Sequence, residues 1–157
     1  MEIGAWQTAD LPEMLAIWND VVAAGQAFPQ ENPEHDGSFF AAQSYCGVAR
    51  DESGQVHGLY ILHPNNIGRC GHICNASYAV RRDSRGMGIG RRLVEDSLIT
   101  AKRLGFRIMQ FNAVAADNES ANRLYRDLGF TQLGAIPQGF RRPDGSYVPI
   151  NLYYRPL

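Results

Sequence analysis

Three glycines at alternate positions, Gly86, Gly88 and Gly90, stand directly before a stretch with helical periodicity. Glycine lets a backbone approach a ligand closely, and the first turn of a helix offers unpaired amide groups to an anion. Three arginines between positions 81 and 85 add positive charge to the same segment. The pattern predicts a loop that holds a phosphate-bearing ligand, while a tight turn without a ligand is the alternative.

Neither of the two common phosphate-loop motifs fits this segment. A dinucleotide fingerprint that begins at Gly86 requires a third glycine where Arg91 stands. A P-loop requires a glycine, four further residues and then Gly-Lys-Ser/Thr, and the segment has neither that spacing nor the lysine. The sequence therefore excludes both motifs at this position.

Polar side chains on neighbouring segments could take part in catalysis. Asn75 and Asn112 lie in two strand-like stretches, and a buried amide requires a hydrogen-bond partner. These amides could orient a substrate or a water molecule, or they could bond to each other and to the backbone. His63, His72 and Glu31 are candidates for a general base, and a chain of water molecules is a further alternative.

Composition limits the classes of function. The chain has 157 residues, which predicts a single domain over residues 1–157. Its net charge of -1 predicts no general attraction to nucleic acid or to an anionic membrane. No apolar run approaches the length of about 18 residues that a membrane span requires, and the first residues show no secretory signal pattern.

The cysteine pattern predicts reduced thiols in a cytoplasmic protein. The three cysteines are odd in number, and Cys70 and Cys74 bracket His72 in the segment RCGHIC. A strand would turn these three side chains to one face, but the chain offers no second pair of ligands at the usual spacing. We therefore expect no metal site.

The remaining periodicity predicts the elements that position these groups. Helices are expected after Asp10, which forms a D-x-x-E capping box with Glu13, after the glycines, and after Asn118 or Asp117. Residues 23–37 are expected to form a loop or an irregular turn. Strands are predicted at residues 2–7, 45–50, 55–63, 69–80, 107–114, 130–136 and 147–154. This order favours an α+β fold with a mixed sheet covered by helices.

Two blocks of the sequence resemble motifs of the GNAT superfamily of N-acetyltransferases. The segment VRRDSRGMGIG, residues 80–90, resembles the family's Arg/Gln-x-x-Gly-x-Gly/Ala motif through Arg85, Gly88 and Gly90. The segment NESANRLYRDLGF, residues 118–130, resembles the family's N-x-x-A-x-x-L-Y-x-x-x-G-F signature. Arg82 departs from the pattern, because many members carry proline there.

The resemblance implies the GNAT fold, with a mixed, mostly antiparallel central sheet of about seven strands flanked by about four helices. Its middle strands, which end near Val80 and Val114, would splay apart. Acetyl-CoA would be the acetyl donor, with its pantetheine arm in the splay and its diphosphate on the glycine loop. The cofactor-binding residues that the resemblance implies are Ala79, Val80, Arg85, Gly86, Met87, Gly88, Ile89, Gly90, Arg91, Asn118 and Tyr125.

The resemblance also implies roles in catalysis and in acceptor binding. Tyr125 would protonate the departing thiolate, and Asn75 and Asn112 are the further catalytic candidates. The loop at residues 27–32 and the segment from residue 136 onwards resemble phosphinothricin N-acetyltransferases and acetyltransferases of amino-acid analogues. The acceptor wall would then consist of Phe28, Glu31, Tyr60 and Phe140.

The expected activity is transfer of an acetyl group from acetyl-CoA to the amine of a small molecule, such as an amino acid or an analogue, by direct attack in a ternary complex. Acetylation of a protein N-terminus, a lysine or an aminoacyl-tRNA is one alternative, and a non-catalytic acetyl-CoA-binding regulatory module is another. A tRNA acceptor would favour a basic face. No nucleic acid or membrane partner is expected. The aromatic-rich segment near residue 150 could supply a contact for a homodimer.

Overall fold

Seven strands form one sheet in the computed structural model, which describes residues 1–157. The strands are β1 (Glu2–Ala5), β2 (Tyr45–Arg50), β3 (Val56–Pro64), β4 (Ile73–Val80), β5 (Ile108–Ala115), β6 (Thr131–Arg141) and β7 (Tyr147–Pro156). The helices are α1 (Leu11–Ala24), α2 (Ser38–Ala41), α3 (Ile89–Arg103) and α4 (Glu119–Asp127). The predicted α+β fold is confirmed. None of these helices is both long enough and apolar enough to cross a membrane.

The strand order β1-β2-β3-β4-β5-β7-β6 contains one parallel pair, β4 with β5. These two strands pair only where Ile73 meets Ile108 and Cys74 meets Met109. Beyond those two positions they diverge, while β4 stays paired with β3 as far as Val80. The expected splay between the middle strands is therefore present, and the edge of β4 that faces β5 is open.

Apolar clusters cover both faces of the sheet. On one face, Leu93 and Val94 of α3 pack with Phe111 of β5, and α4 lies against the same cluster. On the other face, α1 and α2 cover the sheet, with Trp18 fully buried at the centre. Side chains of β3 alternate between the two clusters, as the period of a strand requires, so that Tyr60 faces α3.

The helices that flank the splay follow their sequence signals. α3 buries an apolar stripe and carries Lys102 and Arg103 in its last turn, and Gly105 follows with a φ of 95°. Of the two predicted caps for α4, Asn118 occupies the position, because its Oδ1 accepts a hydrogen bond from the Ala121 amide at 3.3 Å. The end of α3 and the beginning of α4 are thus fixed by local residues.

The predicted capping box at α1 is wrong. Asp10 makes no side-chain cap to that helix. Its carboxylate instead accepts a bond from the Gln7 amide at 2.6 Å and forms an ion pair with Arg50 of β2. Glu13 turns away as well, because it pairs with Arg81 at 3.0 Å. The half-buried Arg50 is a stronger partner for Asp10 than the helix amides, because its guanidinium carries a full positive charge and bonds both carboxylate oxygens.

Candidate active site

A cavity of about 800 Å³ occupies the gap between β4 and β5. On the α3 side of the sheet it is lined by the glycine loop and by α4, and on the α1 side by residues 26–29. Residues 75–78 of β4 and 111–115 of β5 form its two long walls. Because the strands pair over only two positions, the cavity connects the two faces of the sheet.

The glycine loop lies open towards this cavity. Gly86 and Gly88 have φ values of 79° and 78°, and a Cβ added to either would meet no atom within 4 Å. Gly88 is also the N-cap of α3 and supplies no side chain to bond the first amides of the helix. Unpaired amides at a helix N-terminus attract an anion, so this loop can hold a diphosphate.

The loop residues fall into two groups. Five of the predicted residues line the cavity, namely Arg85, Gly86, Gly88, Ile89 and Gly90. Met87 does not line it and is 64% exposed. Arg91 also lies outside, because its guanidinium turns towards Asp127 at 3.4 Å and Glu95 at 3.7 Å. Met87 and Arg91 therefore do not line the cavity in this structure.

The open edge of β4 can pair with an extended ligand, but not through every residue. The amide of Arg81 donates to the His57 carbonyl of β3 at 2.9 Å. Backbone groups alternate along a strand, so the amide of Ala79 also points to β3, whereas those of Tyr78 and Val80 point into the gap. The expected contact of Ala79 is thus corrected: its backbone faces β3 and its side chain is 1% exposed. Val80 lines the cavity as expected.

Tyr125 reaches the cavity from α4. Its ring lies 4.4 Å from the Phe111 ring and 5.9 Å from the Tyr153 ring, measured between centroids. Burial, and then the neighbouring Tyr153, raises the pKa of Tyr125 above its ordinary value. The hydroxyl therefore stays protonated at neutral pH. Asn118, which caps the same helix, lines the cavity beside it.

Asn75 and Asn112 both line the cavity, on the walls formed by β4 and β5. They are joined through Asn65, in the turn after β3. The amide groups of Asn65 and Asn112 bond reciprocally at 2.6 and 3.1 Å, and Asn75 donates to the Asn65 oxygen at 3.3 Å. The two predicted residues are thus brought together, and Asn65 is a partner that the sequence did not indicate.

The four residues expected to form the acceptor wall do not all line the same cavity. Phe28 lines the main cavity. Glu31 and Phe140 line a second cavity of about 560 Å³, which shares Phe28, Pro29 and Arg142 with the first. Tyr60 lines neither. It is fully buried on the α3 face, where its hydroxyl donates to Asp96 at 2.6 Å, so this structure does not place it on a cavity wall.

Among the suggested bases, His63 and His72 line neither cavity, and Glu31 is ion-paired with Arg141. The carboxylate that lines the main cavity is instead Asp117, which precedes the cap of α4 and pairs with Arg142.

Arg142 is 8% exposed and donates a hydrogen bond to the Gln26 carbonyl at 2.6 Å. Its guanidinium carbon lies over the Phe140 ring, 5.1 Å from the ring centroid. Asp117 and Arg142 lie 25 residues apart in the sequence. No periodic pattern connects them, so sequence reasoning could not pair them.

Potential metal ligands and thiols are not assembled into a site. No group of three or more His, Cys, Asp or Glu side chains is placed to hold a metal ion. The three cysteines are free, and Cys46 and Cys74 are buried. Burial raises the pKa of both of these thiols to about 12, so they are neutral at physiological pH.

Comparisons with known proteins agree with this geometry. A sequence profile described as "Acetyltransferase (GNAT) family" matches residues 8–130. The N-acetyltransferase aca1 of Schizosaccharomyces pombe is 39% identical over 97 residues, which are 61% of this chain but only 46% of that protein. The L-methionine sulfoximine/L-methionine sulfone acetyltransferase of Pseudomonas paraeruginosa is 34% identical over 139 residues, covering 83% of this chain and 80% of the relative. The solved structure of a GCN5-related N-acetyltransferase from Kribbella flavida superposes with a TM-score of 0.91 at 34% identity, covering 99% of this chain and 97% of that one.

Proposed function

This chain belongs to the acetyltransferase (GNAT) family, and from that premise we propose that it transfers the acetyl group of acetyl-CoA to the amine of a small molecule. One observation carries the proposal: β4 and β5 diverge after two paired positions, directly beside an open glycine loop. The resulting cavity reaches both faces of the sheet. A donor held on the α3 side and an acceptor held on the α1 side can therefore meet in one ternary complex.

The residues of the cavity fit the parts of the donor. The loop from Arg85 to Gly90 suits the diphosphate, because the amides from Gly86 to Gly90 have no backbone partner and Gly86 and Gly88 leave open space. The amides of Tyr78 and Val80 suit the pantetheine arm, which can add to the edge of β4 like a further strand. Acetyl-CoA would supply an activated thioester at the far end of that arm, close to Tyr125.

The chemistry requires one C–N bond to form and one C–S bond to break. A neutral amine loses one proton and the thiolate gains one, so the reaction balances from the neutral amine. An acceptor that arrives as an ammonium first releases a further proton to the solvent. The amide of Val80 can polarise the carbonyl as negative charge develops on its oxygen. The hydroxyl of Tyr125 can donate a hydrogen bond to the departing sulfur.

The raised pKa of Tyr125 limits this role. An ordinary thiol has a pKa of about 8.5, below that of a phenol even before burial raises it. Complete proton transfer from Tyr125 to the thiolate is therefore uphill. We assign to Tyr125 a neutral hydrogen bond to the sulfur, with the acceptor amine as the ultimate source of the proton.

The acceptor that we propose is a compact amino acid or an analogue. The relative from Pseudomonas paraeruginosa is named for two amino-acid analogues, which supports this class. The joined amides of Asn75 and Asn112 offer donors and acceptors to a carboxylate or an ordered water, and Phe28 offers an apolar wall. No ionisable base is needed if water relays the proton from the amine.

The charge distribution disfavours an aminoacyl-tRNA acceptor. Such an acceptor would require a basic face, and six arginines are the candidates: Arg81, Arg82, Arg91, Arg92, Arg141 and Arg142. All but Arg92 form ion pairs with carboxylates, and Arg92 donates to the carbonyl of Met1. The charge of five of the six arginines is thus compensated locally, which supports a small acceptor.

A panel of amines, with release of free thiol as the readout, tests the proposal. Primary and secondary amino acids, including methionine sulfoximine, should give acetyl-CoA-dependent thiol release, and the KM for the acceptor should not change with salt. Peptides with a free N-terminus or a lysine, and charged tRNA, complete the panel. Thiol release that stays at background for every amine while CoA binds would contradict catalysis and support a regulatory module.

We also propose that residues 1–157 form a single domain and that the chain works as a homodimer in the cytoplasm. The free, buried thiols Cys46 and Cys74 support a reducing compartment. The edge strand β6 and the beginning of β7 expose Leu133, Ile136 and Tyr147, which supports self-association. Light scattering should give twice the 17.4 kDa mass of one chain, and a monomeric mass would contradict the dimer.

A further inference from the structure

A hydrogen-bonded chain of side chains lies behind the glycine loop. His57 of β3 is at its centre, with Nε2 2.8 Å from Oδ2 of Asp51 and Nδ1 2.8 Å from Oγ of Ser84. Ser84 Oγ also lies 3.2 Å from Oδ1 of Asp83. Ser84 is 3% exposed, precedes Arg85 and lines the main cavity. These hydrogen bonds therefore connect the turn between β2 and β3 with the site proposed for the diphosphate.

Asp51 fixes one end of this chain. Its Oδ1 accepts bonds from the Ser53 hydroxyl at 2.6 Å and from the amides of Ser53 and Gln55 at 2.9 and 3.1 Å. These bonds, that from the Ser53 hydroxyl first and that from His57 next, hold the pKa of Asp51 well below its usual range. An ionised carboxylate can only accept hydrogen bonds, so Nε2 of His57 must carry a proton.

The protonation of the other ring nitrogen then decides the direction of the Ser84 hydroxyl. In a neutral ring Nδ1 is an acceptor, and the Ser84 hydroxyl must donate to it. In a doubly protonated ring Nδ1 donates to Ser84 Oγ, and the hydroxyl proton is free to point to another acceptor. Asp83 offers one such acceptor at 3.2 Å, and a phosphate oxygen in the cavity would offer another.

Charged groups from each neighbouring element surround His57. Asp51 comes from the turn before β3, Asp83 from the segment after β4, and Glu13 from α1, where it accepts from the Val56 amide at 3.3 Å. Arg81 is the cation on the same side, and it is paired with Glu13 at 3.0 Å and with Asp83 at 3.4 Å. Asp51, whose Oδ2 lies 2.8 Å from Nε2, is the direct counter-ion for a protonated ring.

We propose that His57 is a positioning residue that couples binding of the donor's diphosphate to uptake of one proton. A phosphate oxygen beside Ser84 accepts its hydroxyl proton, and Nδ1 of His57 must then be protonated. This inference rests on the proposed binding of acetyl-CoA. Because the bound state favours the protonated ring, affinity should be highest at low pH and should fall as pH rises.

Calorimetry with 3′-dephospho-CoA tests the coupling. This probe keeps the diphosphate but lacks the 3′-phosphate, whose own ionisation near pH 6 would confuse the result. Titrations in two buffers of different ionisation enthalpy give the number of protons taken up by the wild-type protein. We expect net uptake between pH 6 and 8, with Kd rising about tenfold over that interval.

Two variants, their combination and a control variant locate the effect. His57→Gln should bind more weakly at pH 6 and show a flat pH dependence, while His35→Gln, which changes an exposed histidine in the loop before α2, should behave like wild type. Ser84→Ala should also flatten the pH dependence. Combining it with His57→Gln should add nothing further, because both residues act in one chain.

The outcomes separate this inference from the proposed function. Binding without proton uptake by the wild-type protein would overturn the coupling, and this measurement does not depend on the folding of any variant. An equal pH dependence in wild type and His57→Gln would overturn it as well. Failure of both CoA and 3′-dephospho-CoA to bind at any pH would overturn the proposed function, and the coupling with it.

Discussion

The hydroxyl of Tyr125 shows how the surroundings of one residue decide its chemistry. Its ring lies in a cluster with Phe111, Phe130 and Tyr153, and burial favours the neutral phenol over the phenolate. A neutral phenol can stabilise a thiolate by a hydrogen bond at neutral pH. The tyrosine in the signature could be identified from the sequence, but the environment that fixes its protonation could not.

Replacing Tyr125 with phenylalanine tests this role. Tyr125→Phe keeps the ring and removes only the hydroxyl, so we expect kcat to fall by about 100-fold while the Kd for CoA changes little. Steady-state kinetics and calorimetry give the two values. Tyr147→Phe, which removes an exposed hydroxyl, is the matched control. If kcat were unchanged in Tyr125→Phe, the hydrogen bond to sulfur would have no part in the reaction.

Single residues whose partners lie far along the chain are those that the sequence could not place. Asn65 contacts Asn112 across 47 positions, and His57 contacts Ser84 across 27. Neither pair has a periodicity or a spacing that a strand or a helix would repeat. Asn75 and Asn112 were predictable because each lies on a wall of the splay, whereas the residue that joins them lies in a turn.

At the scale of elements, local signals predicted most of the fold. Three features lie where the sequence indicated: the apolar stripe of α3, the Gly105 that follows this helix, and the cap of α4 at Asn118. Two expectations differ from the structure for different reasons. Asp10 bonds to Arg50 instead of the helix amides, which is a tertiary contact that local preference does not reveal. Tyr60 faces α3 because side chains alternate along β3.

The junction of the glycine loop with α3 gives a test at this scale. Gly88→Val adds a branched side chain at a φ of 78° in the open space proposed for the diphosphate. We expect the Kd for CoA to rise at least about tenfold, equivalent to about 1.4 kcal/mol. Gly105→Val is a matched control, because Gly105 has a φ of 95°, an equally open Cβ position and no contact with the cavity. Equal CoA affinity in both folded variants would exclude the loop from donor binding.

The ion pair between Asp10 and Arg50 ties the beginning of α1 to β2 and predicts a pH dependence of stability. The hydrogen bond from Arg50, more than any other group, lowers the pKa of Asp10 below its unfolded value. Its contribution is therefore complete above about pH 4 and is lost as pH falls through the lowered pKa. Asp10→Asn should reduce the free energy of unfolding at pH 7 by about 3 kcal/mol and by less at pH 3.

Urea denaturation at several pH values measures this effect. The difference in the free energy of unfolding between wild type and Asp10→Asn should shrink on acidification. Arg50→Met should produce the same pattern, since either change removes the pair. A difference that stayed constant from pH 7 to pH 3 would mean that the pair makes no net contribution.

The molecule as a whole consists of two antiparallel halves joined at a narrow seam. β1 to β4 form one half and β5 to β7 the other, and the sheet connects them only through two parallel positions. The resemblance to the family predicted this splay. Residue patterns alone could not, because no periodicity in the sequence marks the point where two strands diverge.

Hydrogen exchange can detect a ligand that bridges the seam. The amides of Tyr78 and Val80 point into the gap, so binding of CoA should slow their exchange, by about 100-fold at a concentration of about 100 Kd. The amide of Ala79 is already paired with β3 and should change little. Measurement by NMR resolves the three neighbouring positions, and uniform slowing of all three would indicate general rigidification rather than pairing along the edge.

In the proposed function, the donor wall of the cavity is the loop before α3, and the acceptor wall is formed on the opposite face by residues 26–29 and Arg142. These walls are encoded by stretches of the gene that do not overlap. Mutations on the acceptor side can therefore change the specificity for the amine without changing the binding of the thioester. A library randomised on the acceptor side alone is consequently the economical way to evolve new substrate preferences on this scaffold.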